Sequence, residues 1–310
     1  MIDPIYNRIE GTKRPSLTAA SGFVLLAALG LWASVLIELA LPSAGIVLSN
    51  LLYYVPFVAL PLALYARRHP GLSQALRLGP LPPLSALTLA LLALLTVYVA
   101  SAISALWSAG LDALGLTGVG AAPLPQSERE LALYTLAMAA LPAVCEELLF
   151  RGFVLAAWES RGTAFAIGVT SILFALLHGN LYGLPIYLLV GAVAGFVTFA
   201  LDSVYAGIVY HTVYNAACLV IPYLLAGRVD AAADAAMTGS MLFSIILETA
   251  TLLSLTALLL VSLRLRARNA GIEPIPRVRR PLSDRERLTL LAAILVMIAS
   301  TVIVLVMAQF

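Results

Sequence analysis

The sequence predicts an all-α fold: a polytopic transmembrane helical bundle of about nine spans with its N-terminus on the cytoplasmic side. Three observations carry this. Of the 310 residues, 62% are hydrophobic and 11% are charged. Soluble domains are nearer half apolar and a quarter charged, because a water-facing surface must be covered with polar groups. The apolar residues also fall in continuous runs close to the ~20 residues that a bilayer core demands, unlike the short alternating segments of a β-barrel. Finally, the cationic residues are segregated between alternate loops.

Taken in order, the first run, 17–41, follows polar residues 1–16 and is longer than a secretory h-region. It reads as a span that also starts transfer, not as a cleaved signal peptide. Further spans are expected at 46–66, 84–108, 131–157, 162–178, 183–201, 204–226, 240–263 and 288–309. The breaks fall at Pro42, at Arg67-Arg68-His69-Pro70, at Pro80–Pro83, at Pro123 and Pro125, and at Pro274, Pro276 and Pro281. Proline removes a ladder donor and biases its predecessor away from helix. Residues 111–120 are expected as a short interfacial helix, and Asp202 as a turn residue. No fixed-period repeat is visible, so 1–310 reads as one integral membrane domain.

With the N-terminus inside, the cytoplasmic segments hold Arg8, Lys13, Arg14, Arg67, Arg68, Arg77, Arg161 and the eight arginines from Arg264 to Arg287. The outside segments hold Arg129 and Arg228. This is the asymmetry of a correct orientation, and a missed span would reverse every later loop. The basic loop 264–287 reads first as a positive-inside anchor and second as a site for anionic headgroups or an acidic partner. Cys145 and Cys218 lie in apolar helices and read as small buried hydrophobes, not as a disulfide. One lysine against seventeen arginines, with much Ala and Leu, points to a GC-rich prokaryote and a plasma-membrane location.

Ionisable residues within spans are costly and read as functional. The fourth span carries Glu146-Glu147-Leu148-Leu149-Phe150-Arg151. Adjacent helical residues point about 100° apart, so the two carboxylates cannot face one partner in the same way. Glu147 and Arg151, four apart with the acid first, can pair on one face. Glu146 is then the freer carboxylate. His178 closes the fifth span four residues after Phe174, and His211 precedes Asn215 by four in the seventh. A lone membrane histidine is usually structural; two of them with two glutamates and an asparagine on three spans point to a site. Hydrolysis of a peptide bond needs an activated water, oxyanion stabilisation and a proton for the leaving amine. A buried carboxylate suits the base that later acts as acid, a histidine can hold the same water, and His/Asn donors suit the oxyanion. Glu146, His178 and His211 are alternatively a zinc donor set, although His-Glu-x-x-His spacing is absent.

Glu146-Glu147-x-x-x-Arg151, Phe174-x-x-x-His178 and His211-x-x-x-Asn215 resemble the three motifs of the CPBP family of membrane proteins. These are the CAAX proteases and bacteriocin-processing enzymes, also called Abi proteins, related to the Ras-converting CAAX endopeptidase. The resembling block runs from about 130 to 222 and is the expected catalytic core. The resemblance implies an intramembrane cavity and an endopeptidase acting on a membrane-associated substrate, with a prenylated CAAX-type protein as one option. It implies that Glu146 and His178 activate water and that His211 and Asn215 stabilise the oxyanion; Glu147 completes the expected catalytic set, with Arg151 and Phe174 in support. Zinc and metal-free versions both stay open, with His178, His211 and Glu146 as ligands in the first. Membrane lipids and a peptide or lipidated protein are the expected partners, and nucleic acid is not.

Straight, upright helices would place Glu146 at mid-membrane, His178 towards the outside and His211 nearer the cytoplasm. Convergence is expected from the Gly- and Pro-containing stretch His178–Pro185 ending the fifth span at membrane depth, with tilt of the seventh span supplying the rest. Two other readings remain: a non-catalytic peptide-binding or immunity protein of the same fold, and an ion-coupled transporter. The intact Glu/His/His/Asn set weighs against the first, and the lack of paired broken helices against the second.

Overall fold

The computed structural model describes residues 14–40, 45–118, 124–225, 256, 259–265, 268, 269, 271, 272 and 281–307. The chain runs through α1 (Leu17–Ala40), α2 (Gly45–Arg68), a short α3 (Leu72–Ala75) and α4 (Pro83–Ala113). It continues through α5 (Glu128–Arg161), α6 (Thr163–Leu177), α7 (Leu184–Leu201), α8 (Val204–Leu225) and α9 (Asp284–Met307). Among the described residues seven helices are long and apolar enough to cross a bilayer, and α6, at 15 residues, is the shorter apolar helix between them. The chain is therefore a polytopic helical membrane bundle. Most of the expected span 240–263, and residues 266, 267, 270 and 273–280 of the basic loop 264–287, lie outside the described residues.

Local chemistry explains the helix starts. Ser127 accepts from the Glu130 amide at 3.2 Å while Glu130 Oε2 accepts from the Gln126 amide at 2.8 Å, opening α5. Ser283 and Glu286 make the reciprocal capping box before α9. α4 and α7 each carry a proline in the first turn, Pro83 and Pro185, where the missing N–H costs nothing. α4 runs unbroken to Ala113, so residues 111–113 of the expected interfacial helix belong to it, and no separate helix follows in the described residues 114–118. Nothing in 84–113 breaks the ladder, and the turn comes only at Leu114 and Gly115, whose φ is +75°.

Among the described residues three segments are π-helical, which the apolar pattern did not anticipate: Val55–Ala59 in α2, and Thr135–Ala140 and Leu148–Val154 in α5. Pro56 and Pro142 accompany the first two, and each removes a donor that an α-helical ladder would use. Each inserted residue turns the helix face that follows it. The first segment begins directly after Tyr54, and the other two flank Leu141–Glu147, the stretch that carries both glutamates.

Among the described residues the bundle holds two apolar clusters. One joins α1, α2, α5, α6 and α9 through residues such as Val24, Phe153, Phe174 and Met297. The other joins α4, α7 and α8 through Leu89, Leu92, Val197 and Tyr210. Many leucines, valines and isoleucines on the outer faces of α1, α4 and α9 remain exposed, as lipid-facing positions should.

Polar contacts tie the helix ends together. At one end Arg77 pairs with Asp202 at 3.1 Å and with Glu159, which Arg14 approaches to 3.5 Å. Burial opposes the charge on Arg77, but Glu159 and Asp202 outweigh it and raise its pKa above the ordinary arginine value. Asp202 is in a turn as expected, with φ +50°, and the next residue, Ser203, donates to the Gly79 carbonyl at 2.7 Å. At the other end Trp107 donates to the Leu181 carbonyl at 2.9 Å, and the Tyr182 hydroxyl reaches Asp112 at 2.8 Å. Residues 14, 77, 159 and 202 therefore share one end, and 107, 112, 181 and 182 the other.

Candidate active site

The seam between the two clusters is polar. α5 carries Glu146 and Glu147, which are 5% and 0% exposed, and Arg151 is fully buried one turn later. Arg151 donates to Glu147 Oε1 at 2.9 Å and to the Gly191 carbonyl at 2.9 Å, and its guanidinium lies 4.4 Å from the centroid of the Phe174 ring. The pairing expected from the i, i+4 spacing is therefore present.

Glu147 has a second partner that the spacing did not reveal. His211, on α8, brings Nδ1 to 2.9 Å from Glu147 Oε1, while its Nε2 lies 3.9 Å from Glu146 Oε2. The two carboxylates do diverge along the helix, yet they straddle one imidazole by reaching its two different nitrogens. Since a carboxylate accepts, Nδ1 of His211 carries the proton in this bond.

His178 caps α6 at its C-terminus. A 15-residue helix rises roughly 22 Å, short of a ~30 Å hydrocarbon core, so α6 can end at membrane depth. Gly179 follows with φ +58°, and Asn180 Oδ1 accepts from the amides of Tyr182 and Gly183, closing the turn into α7. The ring of His178 is held twice: Nδ1 lies 2.8 Å from the Phe174 carbonyl, and Tyr187 stacks on it at 3.9 Å. The carbonyl accepts, so Nδ1 is protonated and Nε2 is left for other partners.

Glu146, His178, His211 and Asn215 line one cavity of about 350 Å³, with Phe174, Tyr187, Tyr214 and Cys218. α6 ends at His178, the π-helical segments of α5 flank the two glutamates, and the four side chains meet at this cavity. Tyr187 and Tyr214 line the cavity, while Tyr182 is engaged at the helix ends instead. Cys145 and Cys218 are free thiols.

Two polar wall residues of α2 escaped the motif reading. Asn50 and Tyr54 of α2 line the same cavity, and the Tyr54 hydroxyl donates to Glu146 Oε1 at 2.5 Å. A signal existed: an amide and a phenol four residues apart within an apolar span share a helix face.

Glycine makes room for this packing. A Cβ at Gly207 would stand 2.6 Å from Glu147 Oε2 and 2.7 Å from Thr198 Oγ1, so α8 can approach the ion pair only without a side chain there. Gly207→Ala is expected to cost about 1–3 kcal/mol through overpacking, read as an earlier unfolding transition of the purified protein. Wild-type stability would show that Glu147 is not held by α8.

The Nε2 atoms of two histidines and a carboxylate are chemically a zinc donor set, and both Nδ1 atoms have the outer partners that zinc-bound histidines use. Among the described residues, however, no three His, Cys, Asp or Glu side chains are gathered closely enough to hold a metal ion.

Residues 128–217 match the family model described as type II CAAX prenyl endopeptidase Rce1-like. The matched segment covers α5 to α8 up to Ala217 and contains Glu146, Glu147, Arg151, Phe174, His178, His211 and Asn215. No curated protein and no solved structure matches the chain.

Proposed function

From the premise that this chain belongs to the CAAX protease family through its Rce1-like segment, residues 128–217, and is a multi-pass membrane enzyme, we propose a glutamate-activated hydrolysis. The substrate is a peptide bond in a membrane-associated protein, with a prenylated C-terminal CAAX-type peptide as the first candidate. The observation that carries this reading is the placement of Glu146: Arg151 is committed to Glu147, while Glu146 Oε2 faces His211 across a cavity that His178 and Asn215 also line.

In the proposed reaction Glu146 takes a proton from water whose second contact is Nε2 of His178. The water oxygen attacks the carbonyl carbon, and the carbonyl π electrons move to oxygen. Asn215 donates its amide N–H to that oxyanion, and doubly protonated His211 donates Nε2–H while Glu147 holds its Nδ1–H. The C–N bond then breaks, and Glu146 returns the proton to the leaving nitrogen. A new carboxyl group and a new amine result, with no covalent enzyme intermediate.

The test is cleavage by the purified protein in lipid vesicles of a peptide with a C-terminal prenylated cysteine motif, beside the same peptide without the lipid. Fragments with a new carboxyl end are expected, and their rate should persist in a zinc chelator. Loss of activity in the chelator, restored by zinc, would replace the metal-free step with a metal-assisted one. Failure to cleave either peptide would overturn the assignment of substrate class.

A further inference from the structure

We infer that Tyr54, which lies outside the Rce1-like segment, is a positioning residue for Glu146 and completes the catalytic site from α2. The inference rests on the proposed role of Glu146 as base. The bond from the Tyr54 hydroxyl to Glu146 Oε1, at 2.5 Å, joins residues 92 apart in sequence, and both side chains are buried. A phenol donating to a carboxylate is a charge-assisted bond, among the stronger hydrogen bonds available to a side chain.

Its consequence is orientational. A carboxylate has two equivalent oxygens, and free rotation would present either one to the cavity. Tyr54 occupies Oε1, and Oε2 is the oxygen turned towards His211 at 3.9 Å. The bond therefore selects which oxygen meets the water and holds the carboxylate plane against the reaction geometry. The backbone supports this placement: Tyr54 directly precedes the π-helical segment Val55–Ala59, with Pro56 inside it. Its ring also packs against Tyr53 at 4.6 Å, which limits rotation of the phenol.

The experiment is steady-state cleavage by wild type, Tyr54→Phe, Glu146→Gln and the double variant, each with its unfolding transition measured. Tyr54→Phe keeps the ring and removes only the donor. Its kcat should fall about 10- to 100-fold with KM unchanged and the unfolding transition close to wild type. In the Glu146→Gln background the same change should have little further effect on kcat, because the two residues act through one group. Tyr53→Phe is the control and should retain wild-type kcat. Wild-type kcat in Tyr54→Phe, or a full additional loss in the Glu146→Gln background, would overturn the inference while leaving the role of Glu146 intact. If Glu146→Gln itself cleaves normally, the underlying mechanism fails instead.

Discussion

Glu147→Ala is expected to destabilise the protein by about 3–5 kcal/mol, the range for breaking a buried ion pair by removing one partner. Arg151 would be left fully buried with the Gly191 carbonyl and the face of Phe174, neither of which carries a charge to balance it. His211 would lose the acceptor that holds Nδ1. The check is the denaturation midpoint of the purified protein. Glu147→Ala with Arg151→Met should recover much of the lost stability, since it removes both charges, but not the activity, since His211 would remain unheld. A Glu147→Ala variant as stable as wild type would show that the pair is dispensable to the fold.

Glu146→Gln is expected to do the opposite: keep the fold and lose the reaction. The amide is nearly the same shape, can still accept from Tyr54, and removes a buried negative charge instead of orphaning one. What it lacks is the ability to take a proton from water. General-base catalysis is worth about 10²- to 10⁴-fold, and a loss in that range is expected in kcat. Two adjacent acids on one helix thus separate cleanly, one supporting the bundle and holding His211, the other facing the cavity.

Much of this was legible in the sequence, for physical reasons that can be named. Bilayer spans announce themselves by length and apolarity, so α1, α2 and α4 to α9 fall close to the expected segments. The Glu147–Arg151 pair followed from helical spacing alone, and the Gly-containing turn after His178 followed from the need to bring distant depths together. Features that depend on tertiary contact were not legible. Nothing in the run Glu146-Glu147 says that one histidine will sit between both acids. The Arg77 contacts to Glu159 and Asp202 join residues 82 and 125 positions apart. Gly207 looks like any membrane glycine until the carboxylate packed against it is seen. Tyr54 lies outside the three motifs, although Asn50 one turn earlier marks its face of α2 as polar.

The most direct measurement is the cleavage rate of a membrane-anchored peptide by purified Glu146→Gln in lipid vesicles, compared with wild type at a temperature where both are folded. The proposed mechanism predicts a loss of at least about a hundredfold with an unfolding transition close to wild type. Undiminished cleavage by folded Glu146→Gln would contradict it.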